Sequence, residues 1–391
     1  MPLSRREVLA GMGKVLLAAP LLNLAIMSTS CGGSTSSMGP GQPPLTDDQF
    51  LDEIERAVFL YFWEQANPTT GQVKDRAFAS GNDTRTVSST AATGFGLTAL
   101  CIADQRGYMD STNIIARVQA TLDFLLNQMA NENGFFFHFV DMNTGQRVND
   151  SEVSSVDSAI LLCGVLTCRQ HFQNQQIMDM AAQIYQRINW PWMLNGGSTF
   201  SQDWMAECGF LTSRWDTYAE MMMLYLLAIG ATANPIPASS WQAFARPTLT
   251  YQGLTYITNP SAPLFIHQYS HAWFDFRDRQ DAYADYFNNS ITATQAHKLF
   301  CLSLASQFYN YSTKQWGITA SDSSANGYVA RGGPPSMGPI DGSIVPSAAC
   351  GSTPFLSSDC IAVLRNLQSR FPNAWQRYSF VDAFNPLTGW I

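Results

Sequence analysis

The chain has 391 residues, a net charge of −8 and 13% charged residues, about half of the usual ~25%. Lys is scarce, so the basic footprint that nucleic-acid binding needs is absent. The length allows one large domain or two ordinary ones; only one low-complexity linker is present, near the N-terminus, which favours one domain.

Ser4-Arg5-Arg6-Glu7-Val8-Leu9 reads as a twin-arginine export signal, and the apolar run Val15 to Met27 is too short to span a bilayer. Cys31, after Ser28-Thr29-Ser30 and before Gly32-Gly33, is either a lipid-attachment site or is lost by ordinary cleavage nearby. Ser34 to Pro44 is rich in Ser, Gly and Pro and reads as a flexible tether. The expected organisation is therefore an export signal over 1–30, a tether over 31–44 and one domain over 45–391. The expected place is the periplasm or cell surface, with a lipid anchor if Cys31 is acylated.

Thr46-Asp47-Asp48 is a helix start, with a capping side chain and acids in the first turn. Phe50, Ile54, Val58, Tyr61 and Phe62 then recur at helical spacing. Further helices are predicted over Ser89–Gln105, Thr112–Met129, Val153–Phe172, Gln176–Ile188, Tyr218–Ala231, Asp281–Tyr309 and Asp359–Ser369. Strand signals are sparse; Phe135 to Val140, followed by Asn143-Thr144-Gly145, predicts one hairpin arm. Long irregular segments lie between helices at Trp190–Arg214, which holds Trp204, at Tyr251–Arg279 and at Trp316–Ser347. Loops of that length in a compact domain are usually functional. Paired helices with elaborate loops predict an all-α fold, an (α/α)6 barrel with long cleft-lining loops; no fixed-period repeat supports a solenoid.

Eight cysteines do not make a disulfide framework in a chain of this size. Cys163 and Cys168 sit in an apolar run and read as buried thiols, while Cys350 and Cys360 are close enough in sequence to pair across a short loop. No Cys/His spacing resembles a zinc site.

Asn, Gln, Ser and Thr replace charge, and 48 residues are aromatic. That composition suits a neutral polyhydroxylated ligand. Trp215-Asp216-Thr217-Tyr218-Ala219-Glu220 runs into an apolar stretch beginning Met221-Met222-Met223, so the Glu220 carboxyl is expected to be partly desolvated and its pKa raised. Trp215 and Tyr218 offer flat faces for sugar rings. Glycoside hydrolysis needs two carboxyl groups of different pKa, and other acids lie beside aromatic or apolar residues. Asp141 precedes Asn143-Thr144-Gly145; Glu152 and Asp157 flank a helix start, where capping explains Glu152 as well as chemistry does. His271, Asp275 and Arg277 alternate with aromatics, with Arg277 placed to fix Asp275. Trp316 precedes Asp322, and Asp382 is flanked by Val381 and Ala383, a costly setting for an unpaired carboxylate.

The ordered blocks Tyr61-Phe62-Trp63 with Asp75-Arg76, Ser88-Ser89-Thr90 to Gly96, Glu152 to Asp157, Trp215 to Glu220, Gln268 to Arg277, Trp316 to Asp322, Asp341 to Pro346 and Asp382 to Pro386 cover nearly all of the mature chain. Together they resemble the glucoamylase-like clan that includes glycoside hydrolase family 144, the bacterial β-1,2-glucanases. The related domain of cyclic β-1,2-glucan synthases shares many of them. The resemblance implies an (α/α)6 barrel and an anomer-inverting hydrolase with no metal or cofactor. It implies β-1,2-glucan as the partner molecule, with sophorose or short sophorooligosaccharides as products. Glu220 matches the acid. Asp157 and Asp382 both match acidic blocks for the base, and Glu152 is the next candidate for the acid. Candidate sugar-binding residues are Arg76, Asp141, Trp204, Trp215, Tyr218, His271, Asp275, Arg277, Trp316 and Asp322. The leading expectation is an endo-acting, monomeric enzyme; an exo-acting relative, a clan member of another linkage and a non-catalytic glycan-binding lipoprotein are the alternatives.

Overall fold

The computed structural model describes residues 44–391. The export signal, the tether up to residue 43 and Cys31 lie outside the described residues. Thr46 caps helix α1 (Asp47–Glu64) through a reciprocal exchange with Gln49, and Asp47 and Asp48 occupy its first turn. Helices α2 (Thr90–Arg106), α3 (Ser111–Asn127), α4 (Ser155–His171) and α5 (Gln175–Gln186) follow within two residues of the boundaries expected. Each begins at a side chain that accepts backbone N–H bonds, from Ser89, Asp110, Ser154 and Asn174 respectively.

Later boundaries differ. The helix expected from Tyr218 starts at Met222 as α7 (Met222–Gly230), because the Tyr218 N–H is given to the Ala245 carbonyl instead of an intrahelical partner. The one expected from Asp281 is α9 (Tyr286–Ser303): the Asp281 carboxylate accepts the N–H groups of Tyr283 and Ala284 in a turn, and Asp285 supplies the cap. Short helices α6 (Trp190–Leu194), α8 (Ser240–Ala243) and α10 (Pro346–Ser352) add to those expected, α6 opening the segment expected to be irregular from Trp190, and α11 (Ser357–Arg370) comes last.

Strands are more numerous than expected, though all are short. The run Phe135 to Val140 is not one arm. Phe135–Phe136 pairs with Asn131–Glu132, whereas Phe139–Asp141 pairs with Val87–Ser89 just before α2. Val153–Ser154 leads into α4 and pairs with Asp203–Met205, which pairs in turn with Gly209–Phe210. Both strand-to-helix junctions thus anchor helix starts in sheet hydrogen bonds.

Helices α2, α4 and α7 are buried around much of their circumference; α1, α3 and α5 bury one face. Helices α2 and α4 meet backbone to backbone. A Cβ added at Gly164 would lie 2.1 Å from the Gly94 carbonyl oxygen, so only glycine fits. One apolar core gathers α2 to α7, and a second joins α1 to α9, α10 and α11. Cys163 and Cys168 are buried thiols, and Cys350 and Cys360 are likewise free rather than bonded to each other. Among the described residues no helix is long and apolar enough to cross a membrane.

Candidate active site

The start of α4 gathers acids from three segments. The His138 N–H donates to the Glu152 carbonyl at 2.8 Å, and Ser154 pairs with Asp203 across the sheet. His138, Glu152, Asp157 and Asp203 are thereby brought to one place. His138 Nδ1 is 2.7 Å from a Glu152 carboxylate oxygen and Nε2 is 3.6 Å from an Asp157 oxygen. Burial opposes protonation of this imidazole, but the charges of Asp157 and Glu152 prevail and push its pKa up to about 9. The hydrogen bond from His138 holds the Glu152 carboxyl below its usual range against the opposing effect of burial. The Ser154 hydroxyl donates to the Asp157 carboxylate at 2.5 Å.

Asp203 is half-buried; burial and the negative charges of Glu152 and Asp157 raise its pKa to about 7. Glu220 lies in the turn before α7. Burial raises its carboxyl to about 7, Asp157 adding to the effect and Glu220's own backbone N–H opposing it. The turn is fixed by Ser270, whose hydroxyl donates to the Glu220 carbonyl at 2.7 Å and accepts the Met223 N–H at 3.1 Å.

A second acidic group adjoins the first. Asp382 accepts the Asp322 backbone N–H at 2.7 Å. Its side chain reaches solvent, yet enough protein surrounds it that desolvation raises its pKa, with the Asp322 N–H bond opposing and the Asp322 charge adding. Arg76 pairs with Asp75 at 2.7 Å and with Asp322 at 3.1 Å. Tyr269 and Tyr328 link the two groups. Burial raises both phenols, and each also feels the charges of Glu220 and Asp382. Tyr328 is 58% exposed, so its ring offers an open face near both acids.

Glu220, Asp157, Glu152, Asp382, Asp322 and Arg76 therefore come together, whereas several expected sugar-binding residues do not join them. Trp316 is wholly buried and has no face to present. Tyr218 is also fully buried, its hydroxyl 3.1 Å from His267 Nδ1. His271 is enclosed beside Ser290, and burial pushes its pKa down to about 4. Asp275 and Arg277 form a local ion pair at 2.8 Å that closes a turn. Asp141 caps a turn through the N–H groups of Asn143 and Thr144. Trp204 follows Asp203 in its strand, so it points to the other face and packs on Trp192 at 5.8 Å between ring centres. Trp215 is half-buried. Its indole N–H donates to Ser155 Oγ at 2.9 Å, and its ring helps line a polar cavity of about 370 Å³ with Gln202, Asp216, Thr217 and Asn259.

Sequence reasoning missed His138, Asp203, Tyr269 and Tyr328. The available signals were a lone polar residue inside the aromatic run Phe135–Val140 and an acid beside Trp204 in a long loop.

Residues 212–391 match the Glycoamylase family model, described as "Putative glucoamylase". An exo β-1,2-glucooligosaccharide sophorohydrolase of Parabacteroides distasonis is 26% identical over 390 residues, covering 89% of this chain and 53% of that protein. The chain thus spans about half the length of this curated relative. The endo-β-1,2-glucanase of Chitinophaga pinensis, solved with sophorotriose and glucose, superposes with a TM-score of 0.79 at 25% identity, over 89% of this chain and 88% of that one. A β-1,2-glucanase structure from P. distasonis superposes with a TM-score of 0.81 at 25% identity, over 89% of this chain and 54% of that one. The resemblance drawn from the ordered blocks is borne out, and these similarities are consistent with glycoside hydrolase family 144.

Proposed function

We propose that this chain is an exported glycoside hydrolase that cleaves β-1,2-glucan with inversion, in an (α/α)6 domain spanning residues 45–391. The single observation that carries the chemistry is the Glu220 carboxyl: enclosed by protein and facing the charge of Asp157, its pKa is raised to about 7, so that it keeps a proton toward neutral pH. In the proposed mechanism Glu220 gives that proton to the leaving glycosidic oxygen. Asp157 or Asp382, as carboxylate, takes a proton from the attacking water. Arg76, Asp322, Trp215 and Tyr328 provide hydrogen bonds and ring faces for glucosyl units. The β-1,2 linkage is supported by the names of the relatives described above. The test is product analysis on linear β-1,2-glucan, starch and cellulose. Sophorose and short sophorooligosaccharides from the first alone are expected; hydrolysis of starch with no action on β-1,2-glucan overturns the substrate assignment.

Endo cleavage is the first reading, and similarity to the C. pinensis endo-enzyme over nearly the full length of both chains supports it. The second reading is exo release of sophorose, favoured by the P. distasonis sophorohydrolase. A rapid fall in the viscosity of long β-1,2-glucan, with a ladder of products, marks endo action. Sophorose alone from the outset, with viscosity nearly unchanged, marks exo action.

A further inference from the structure

His138 lies among the acids without having been assigned any part in the chemistry. Its surroundings are unusual for a half-buried histidine. A neutral imidazole donates from one nitrogen and accepts at the other. Here both nitrogens face carboxylates, Glu152 at 2.7 Å and Asp157 at 3.6 Å, and neither faces a donor that would favour the neutral ring. The position is fixed on all sides. The ring stacks on Phe139 with centres 3.8 Å apart, its backbone N–H is held by the Glu152 carbonyl, and its carbonyl accepts the Thr90 N–H at 3.0 Å. Other charged groups surround it. Asp75 acts on the imidazole from the segment after α1 and is itself paired with Arg76. Asp203 comes from the adjoining strand. Arg147, whose own partner is Glu207, also feels the charge of Glu152.

Carboxyls crowded together cannot all ionise at neutral pH, and the protons they retain belong to the cluster. A cation placed between two of them selects which stay charged. Resting on the hydrolase reading above, we propose that His138 is a positioning residue: its imidazolium, clamped between Glu152 and Asp157, keeps both ionised and so leaves the transferable proton on Glu220 and Asp203. The histidine itself neither gives nor takes a proton in the reaction. It decides where the proton resides beforehand.

Two measurements test this. In the intact protein, histidine ring resonances are followed by NMR from pH 5 to 10, with the His138 signal assigned by its loss in His138→Gln. Titration above pH 8 is expected; titration near the ordinary value of about 6.5, or a ring neutral throughout, overturns the proposal. This arm needs no substrate and stands even if the glycan has been misassigned. The second arm compares the pH dependence of kcat for wild type and His138→Gln on β-1,2-glucooligosaccharides. Without the cation, the acidic limb is expected to move up by about one pH unit. A uniform loss of kcat with both limbs unmoved means that the residue only supports the fold, and that also overturns it. Should the variant fail to fold, the His138 signal is assigned instead by its nuclear Overhauser contacts to the Phe139 ring on which it stacks, and the wild-type titration still decides.

Discussion

Asp157 and Ala92 occupy the same position in two helices that begin alike. Each follows a capping serine by three residues, and each gives its backbone N–H to that serine's hydroxyl, Asp157 to Ser154 at 3.4 Å and Ala92 to Ser89 at 3.2 Å. Ser88-Ser89-Thr90 and Val153-Ser154-Ser155 are the matching approaches, each with its capping serine in the middle. Helix α2 starts without a carboxylate at this position, so the cap of α4 has no need of one. The Asp157 side chain instead meets His138 and the Ser154 hydroxyl inside the acid cluster.

Asp157→Asn is therefore expected to fold normally, as is Asp382→Asn at the exposed edge of the cluster. If one of them is the general base, that variant loses at least ~100-fold in kcat and the other much less. Circular dichroism and single-substrate kinetics on both variants make the assignment. Near wild-type activity in both would remove the base from these two positions and turn attention to Glu152.

Glu220→Gln keeps the size of the side chain and cannot deliver the proton. Turnover is expected to drop at least ~100-fold, with substrate binding and folding near normal. Retention of most activity at neutral pH would show that the acid is elsewhere.

The same residue gives a stability signature with a definite sign. Its folded pKa of about 7 lies above the ordinary carboxyl value of 4.5. The folded state therefore holds the proton more tightly, and stability falls as pH rises between those two values. Glu220→Gln removes this dependence. Relative to wild type, its melting temperature is expected to be higher at pH 8 than the difference seen at pH 4.5. Equal differences at the two pH values would mean that the carboxyl is not desolvated.

Much of the helical frame was legible because it rests on local chemistry: Thr46, Ser89, Asp110, Ser154 and Asn174 all cap helices at or beside the expected starts. Glu220 was legible for a related reason, since the apolar stretch after it implied burial. The rest depends on contacts between distant segments. Tyr218 gives its N–H to Ala245 and leaves the helix, and Asp203 reaches the site only through its pairing with Ser154. Trp316 shows the converse limit: aromatic residues that fill a core and those that face a sugar look the same in a sequence.

A chain beginning at Leu45 is expected to retain full activity and the same melting temperature. The first described contacts support that boundary: Thr46 caps α1, and Arg365 donates to the Leu45 carbonyl at 2.8 Å and pairs with Asp47. Insolubility or inactivity of that shortened chain, measured against the full one, would place part of the tether within the domain.

Gly164→Ala should destabilise the protein by about 3 kcal/mol or more, because the new methyl meets backbone that cannot rotate aside. Equilibrium denaturation in urea measures it. A loss below about 1 kcal/mol would mean that α2 and α4 separate easily.

That glycine contact bears on how the molecule breathes. Side chains between helices can exchange rotamers and allow small slips, whereas two backbones in direct touch have no such freedom. The amides in the middle of α2 and α4 should then be among the last to exchange with deuterated water, opening only when the whole domain unfolds. The hairpin carrying Asp322 and Tyr328 has few such constraints and should exchange early. Warming would loosen the Tyr328 side of the acid cluster long before it altered the spacing between α2 and α4.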